Sequence, residues 1–233
     1  MVVDVNSLPK SGVDQTVYRI IQTRYPQIDL FERVAFSEHW DILFEIESLT
    51  NPRLRDDVGD IHLIAKEDRI YGEGSSWIMA AFTHPPKKGQ GGRFNRDFGI
   101  YYCAPDEQTA ISETSYHRAR FLRDARIDRA SFEMRVLRAY LGPTMLHDIR
   151  GINDADIYHP SDYARSQLLG AEIRRLRSPG IHYRSVRCEG ECFAIMRPNE
   201  LSNAIHWKYL KYFYEDGAVV NVTALDGPTE AAK

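Results

Sequence analysis

The residue types that chemistry needs are concentrated in a few short stretches. In KGQGGRFNRDFGIYYCA, residues 88–104, two glycines and an asparagine surround Arg93, and a run containing Tyr101 and Tyr102 follows at once. Glycine allows positive φ and lets a ligand approach the backbone, and a guanidinium is a planar fork for phosphate oxygens, each such bond contributing roughly 1.5–3 kcal/mol. The spacing is not that of the common nucleotide fingerprints: there is no GxGxxG, no Lys-Ser/Thr follows, and the stretch leads into a strand instead of a helix N-terminus. Adjacent strand residues face opposite sides of a sheet, so one of Tyr101 and Tyr102 can be core while the other points into a cleft, where it could stack on a flat ring. In DEQTAISETSYHRARFLR, Ala110, Glu113, Thr114 and His117 fall at i, i+3, i+4 and i+7, which puts a carboxylate in a stripe that otherwise faces inward. Such a group must be paired, solvated by a cleft, or used. Ser185 lies in YRSVR between Arg184 and Arg187, without a GxSxG elbow; its strand placement suits a hydrogen-bond donor better than a hydrolase nucleophile. Taken locally, each piece also has a plain reading: a turn with a surface arginine, a core tyrosine, a structural ion pair.

The elements that must position these residues alternate in kind. VYRIIQ, residues 17–22, reads as a strand, and SEHWDILFEIESLTNPR as a helix capped by Ser37 and ended by Pro52. Residues 53–75 read as irregular. The Glu113 helix has Asp106 as N-cap, Glu107 in its first turn and Arg120 and Arg123 near its end, as the macrodipole prefers. SFEMRVLRAYL, residues 131–141, alternates apolar and polar side chains and reads as a strand; HPSDYARSQLLGAEIRRL reads as a helix capped at Ser161 and stopping before Pro179. GIHYRSVR and CFAIMRP flank Cys188-Glu189-Gly190-Glu191, and WKYLKYFY and AVVNV flank Glu215-Asp216-Gly217, which is hairpin chemistry twice over. The first dozen residues and the last ten read as loose ends. Hairpins interleaved with helices predict an α+β fold: a largely antiparallel sheet core with flanking helices.

Bulk composition narrows the function classes. The chain has 233 residues, 43% hydrophobic and 27% charged, which is enough for one sizeable core. Thirty basic against 33 acidic residues leave a net charge of −3, so no overall positive field recruits nucleic acid or an anionic membrane, and any anion site must be local. Cys103, Cys188 and Cys192 are an odd number with no apolar leader at the start, which predicts free thiols in a cytoplasmic protein; no stretch is apolar enough for a membrane span. The eight histidines form no HExxH, and Cys188 and Cys192 lack partner ligands, so no metal site is expected.

Arg93, Glu113 and Ser185, in that order, together with VYRI, GGRFN, YYCA, TAISET and SQLLGAEIRRLRSPGIHYRSVRCEGECFAIMRP, resemble the RES domain family over about residues 16–222. The resemblance implies a single RES-type domain over residues 1–233, with an inserted segment at about 25–75 that shorter members lack, flexible termini, and a fold similar to ADP-ribosyltransferases. It implies a toxin of a bacterial toxin–antitoxin pair that consumes NAD as substrate without a metal. ADP-ribose would pass to a target protein, the inserted segment leaving room to recognise one, or else to phosphate or water; a nucleotide-binding module without turnover is a further alternative. Glu113, Arg93 and Tyr102 would be catalytic. Arg93 would meet the pyrophosphate, with Arg19 as a second cation; Tyr102 would pack against the nicotinamide end, and Ser185 would hydrogen-bond the nucleotide. The implied partner is an antitoxin with a helix-turn-helix DNA-binding part, its tail covering the NAD cleft and held by Arg93 and Arg19.

Overall fold

The computed structural model describes residues 3–23, 59–86 and 91–225. The expected Ser37 helix, and most of the expected inserted segment, lie outside them. Within them seven strands form one sheet: β1 (Lys10–Gln22), β2 (Tyr101–Cys103), β3 (Arg129–Asp148), β4 (Gly180–Arg184), β5 (Glu191–Ile195), β6 (Leu201–Glu215) and β7 (Ala218–Leu225). Among the described residues three α-helices accompany them: α1 (Ser75–Thr83), α2 (Glu107–Asp124) and α3 (Ala164–Arg175).

The order is β2-β5-β4-β3-β6-β7, with β1 on β3, and among the described residues only the short β3–β4 pairing, His147 with Ile181 and Asp148 with His182, is parallel. The expected α+β fold with a largely antiparallel sheet is therefore the observed one. The sheet also curls back on itself. Past the end of β2, Ala104 exchanges both backbone hydrogen bonds with Tyr18 of β1, at 2.8 and 2.9 Å, so β1, β3, β4, β5 and β2 close a circuit. That closure brings Arg19 beside Tyr102, 83 residues away in the chain: Arg19 Nη1 donates to the Tyr102 carbonyl at 3.2 Å. The core inside the curl joins Val17, Leu137, Leu141, Phe193 and Ile195 to Trp77, Ile78 and Phe82 of α1.

Several local expectations need correction. Residues 3–12 are not loose, because Val5–Ser7 form a 3-10 turn and β1 begins at Lys10, where pairing with His147 supplies hydrogen bonds that a local reading does not see. β3 runs past Leu141 through Gly142 and Pro143 by opposing two residues to Asp14 in a bulge, the arrangement that tolerates a proline lacking its N–H. α1 escapes periodicity because almost all its faces are buried, Ser75, Ser76, Trp77, Ile78, Met79, Phe82 and Thr83 included. α3 starts at Ala164 with Asp162 Oδ1 accepting from the Ala164 N–H at 2.9 Å, so Asp162 and not Ser161 occupies that end. By contrast, Asp106 caps α2 as expected, accepting from Thr109 N and Oγ1 at 2.8 and 2.7 Å.

Tyr101 is fully buried, with the Arg19 guanidinium 4.6 Å from its ring centroid, and its hydroxyl has no hydrogen-bond partner among the described residues. A buried hydroxyl left unsatisfied costs about 1–3 kcal/mol. Tyr101→Phe is therefore expected to raise the unfolding free energy, measured by urea denaturation, by about 1 kcal/mol; a loss of 1 kcal/mol or more would mean that the hydroxyl is satisfied in solution.

Candidate active site

A cavity of about 210 Å³ opens between the β1–β2 closure and α2. Arg19, Arg93, Tyr102 and Glu113 all line it, and so does the whole stripe expected on α2, Ala110, Glu113, Thr114 and His117. The helix places that stripe by turning its apolar side to Ile20, Met134, Val136 and Tyr212, with Thr114 Oγ1 2.8 Å from the Tyr212 hydroxyl and Lys208 Nζ 2.8 Å from Glu107.

Ser185 sits one residue beyond β4, in the connection to β5, and not in a strand. The pairing of Arg184 with Glu191 shortens the expected hairpin link at its far end and frees Ser185 at the near one. Its Oγ accepts the N–H groups of Arg187 and Cys188 at 3.0 and 3.3 Å. With those lone pairs occupied, the hydroxyl proton is directed at Glu113 Oε1, 2.6 Å away. Cys192, behind the same oxygen, has its thiol at 3.9 Å, and burial first, then the neighbouring Glu113, pushes that thiol far up and keeps it neutral. The structure thus ties Ser185 to Glu113 and gives the carboxylate one fixed orientation.

The glycine–arginine loop is held from within. Neither Gly91 nor Gly92 has positive φ. A side chain at Gly91 would meet the Asn95 carbonyl at 2.1 Å, and one at Gly92 would meet the Tyr102 ring at 2.8 Å, so these glycines serve the close folding of the loop on itself. Asn95, 4% exposed, is the hub: its Oδ1 accepts from Gly92 N at 3.0 Å and from the Tyr102 hydroxyl at 2.7 Å, and its Nδ2 donates to the Phe98 carbonyl. The Tyr102 hydroxyl also accepts from Phe94 N at 2.9 Å, which leaves the Tyr102 ring as the part that lines the cavity. α3 presses against the same loop, with Gln167 Nε2 donating to Gly92 O at 2.9 Å and Gly170 packed so closely on the Phe94 carbonyl that a methyl there would sit 2.0 Å away.

Arg93 is only 7% exposed. Its Nη1 donates to the Ile157 and His159 carbonyls at 3.1 and 3.0 Å, and its guanidinium lies 4.8 Å from the Tyr163 ring centroid. Arg19 is held less tightly, and its burial pulls its pKa below the usual arginine value. At the mouth, Arg187 stacks on Tyr116, 3.3 Å from the ring centroid, and donates to Pro160 O and to the Tyr163 hydroxyl. His117 is open to solvent on one side of this rim, yet desolvation on its inner side, and then the charges of Arg187, Arg118, Arg93 and Arg120, push its imidazole down to about 4.

Local reasoning singles out Arg93 and Glu113, the family resemblance adds Arg19 and Tyr102, and the structure brings all four to one cavity, with Ser185 behind Glu113. The sequence reading misses the hub role of Asn95, although an asparagine two residues after Arg93 in a turn-rich motif is the signal that could have found it. It also misses Tyr163, Tyr183 and Cys192, whose places in the wall follow from long-range packing alone. Among the described residues no group of three or more His, Cys, Asp and Glu is arranged to hold a metal ion, and no helix is long and apolar enough to cross a membrane.

Asn95→Ala removes the acceptor shared by Gly92 and Tyr102 and is expected to lower stability by about 2 kcal/mol. It should also raise the protease sensitivity of residues 91–99, and limited proteolysis with an unchanged pattern would show that Asn95 does not hold the loop. The unfolded His117 takes a proton near pH 6.5 whereas the folded ring takes it only near 4, so the unfolded state binds more protons between those values. Stability is therefore expected to fall as pH drops from 6.5 toward 4. His117→Gln should flatten that fall in thermal melts, and an equally steep fall in the variant would assign it elsewhere, with buried His147 and His182 the next groups to test because their pKa values are also lowered by burial.

Residues 66–215 match the RES domain family. A relative from Sinorhizobium fredii, the uncharacterized protein y4oC, is 24% identical over 217 residues, covering 92% of this chain and 90% of its own. Among solved structures, the M. tuberculosis MbcT–MbcA toxin–antitoxin complex is similar at a TM-score of 0.45 and 12% identity, over 87% of this chain and 89% of that chain. The match runs through the arginine loop, the Glu113 helix and the Ser185 connection, and the chain belongs to the RES domain family.

Proposed function

We propose that this chain is the toxin of a toxin–antitoxin pair, acting as a single catalytic domain that cleaves the nicotinamide–ribose bond of NAD and passes the ADP-ribose to a protein side chain. The observation that carries the reading is the gathering of Arg19, Arg93, Tyr102 and Glu113 on one cavity, with Glu113 oriented by Ser185 at 2.6 Å. When the C1″–nitrogen bond breaks, its electron pair leaves with nicotinamide as a neutral molecule and positive charge develops on the ribose. A fixed carboxylate at Glu113 stabilises that charge without having to reorganise. A lone pair of the acceptor then forms the new bond to C1″ and the acceptor releases its proton. Tyr102 offers a ring face to the nicotinamide end, while Arg93 and Arg19 supply the positive charge that the pyrophosphate requires. Because Arg93 is also tied to two backbone carbonyls, it presents that charge at a set position.

A second reading sends the sugar to phosphate or water, and the small inner cavity favours it, since such acceptors need little room beside the ribose. Mass spectrometry of products after incubation with NAD, with and without phosphate and cell extract, separates the two. ADP-ribose covalently bound to a protein supports the first, whereas free ADP-ribose or its 1″-phosphate as the only product would sink it; unchanged NAD would remove both. The toxin reading further expects an antitoxin with a helix-turn-helix part that co-purifies at fixed stoichiometry and blocks turnover by covering the cavity. A lone chain that is active and tolerated by its host would overturn that part.

A further inference from the structure

We propose that the groove between α2 and α3 holds the adenosine end of the dinucleotide whose nicotinamide end sits at Glu113, an inference that rests on the NAD reading above. The inner cavity, at about 210 Å³, is below the roughly 300–1,000 Å³ of sites that enclose a drug-sized ligand. It has room for the reacting half of NAD and not for the whole. A second cavity of about 900 Å³ adjoins the first, and His117 and Tyr163 line both, so the two meet at the rim. A ligand anchored at Glu113 and longer than the inner cavity has its exit there.

The chemistry of the groove changes along its length in the order that the ligand requires. At the rim stand Arg93 and Arg187, the latter pinned by the Tyr163 hydroxyl, where a pyrophosphate leaving the inner cavity passes. Beyond them, α2 contributes Arg118, Arg120 and Phe121, and α3 contributes Leu168. The Phe121 ring is 58% exposed and Leu168 56%, so two large apolar side chains of this wall remain largely open to water. The Arg118 guanidinium lies 5.5 Å from the Phe121 ring centroid. A purine entering over Phe121 therefore meets an aromatic face and a planar cation together, both of which stack on bases without regard to their edges. Asp124 and Asp162, also in the wall, suit the hydroxyl donors of the adenosine ribose.

The test is calorimetric titration of the full chain with carba-NAD, a non-cleavable analogue, and with nicotinamide mononucleotide, which lacks the adenylate half. The wild type is compared with Phe121→Ser and Phe121→Tyr, after thermal melts have shown all three equally folded. Phe121→Ser is expected to weaken carba-NAD about tenfold, the effect of one lost stacking partner, and to leave nicotinamide mononucleotide unchanged, with Phe121→Tyr restoring carba-NAD. If Phe121→Ser leaves both affinities unchanged, the adenosine lies elsewhere and the inference is overturned. It is equally overturned if that variant loses acceptor-protein labelling or antitoxin binding while carba-NAD still binds normally, because the groove is then a macromolecular docking surface. Failure of both ligands to bind the wild type would instead remove the NAD reading on which it rests.

Discussion

Glu113→Gln is expected to slow nicotinamide release from NAD by about 10²–10³-fold, the scale on which a single preorganised electrostatic group acts at a transition state. Glutamine keeps the volume and an oxygen for the 2.6 Å bond from Ser185 but carries no charge to oppose the one developing on the ribose. Binding of carba-NAD should change little, since the ground state places no such demand on the group. Ser185→Ala makes the sharper experiment. Because the Ser185 Oγ already accepts two backbone N–H groups, its proton goes to Glu113, and its removal should free the carboxylate to turn and lower kcat by roughly tenfold with KM nearly constant. The sequence reading assigns Ser185 to the nucleotide instead, and that role predicts the opposite split, a raised KM at constant kcat. Rescue of kcat by Ser185→Thr, which keeps the hydroxyl, would complete the case for positioning.

Arg93→Lys is expected to be the most damaging conservative change in the chain. The guanidinium holds the Ile157 and His159 carbonyls with one nitrogen while lying over Tyr163, and a single ammonium on a flexible stem cannot reproduce that geometry. Losing both bonds in a buried position costs about 2–4 kcal/mol, a sizeable part of the 5–15 kcal/mol by which domains are usually stable. For a chain of this length that corresponds to a fall in Tm of roughly 5–15 °C. On the folded fraction, kcat/KM for NAD should fall about a hundredfold, because the charge meant for the pyrophosphate is no longer held in place. The two readouts are separable: an unchanged Tm would show that the carbonyl bonds contribute nothing, and unchanged kinetics at lowered Tm would make Arg93 a purely structural residue.

How far the site could be read in advance differs from residue to residue for physical reasons. Glu113 was legible because helical spacing places Ala110, Thr114 and His117 on the same stripe, and the Asp106 cap sets where that helix starts. Tyr101 and Tyr102 were legible as a pair because strand alternation must send one inward and the other toward a cleft, which is how they sit. The glycines of GGRFN were read as permitting positive φ, which neither shows, and close approach to the backbone, which both show. Their missing side chains admit Asn95 and the Tyr102 ring, a fact that exists only once the loop has folded against β2. α1, buried on nearly every side, shows no amphipathic stripe to read.

Local pattern in the chain determined the capped Glu113 helix, the alternating long strand, both hairpins and an antiparallel α+β architecture, because each depends on interactions between near neighbours. The ordered set of Arg93, Glu113 and Ser185 determined the family. The curl of the sheet that brings Arg19 to Tyr102, the hub at Asn95, the stacking of Arg93 on Tyr163 and the hand-off from Ser185 to Glu113 were decided only in three dimensions. Those contacts join residues far apart in sequence, and what selects them is the burial of a shared core and the need of each buried polar group for a partner. No local window contains either constraint.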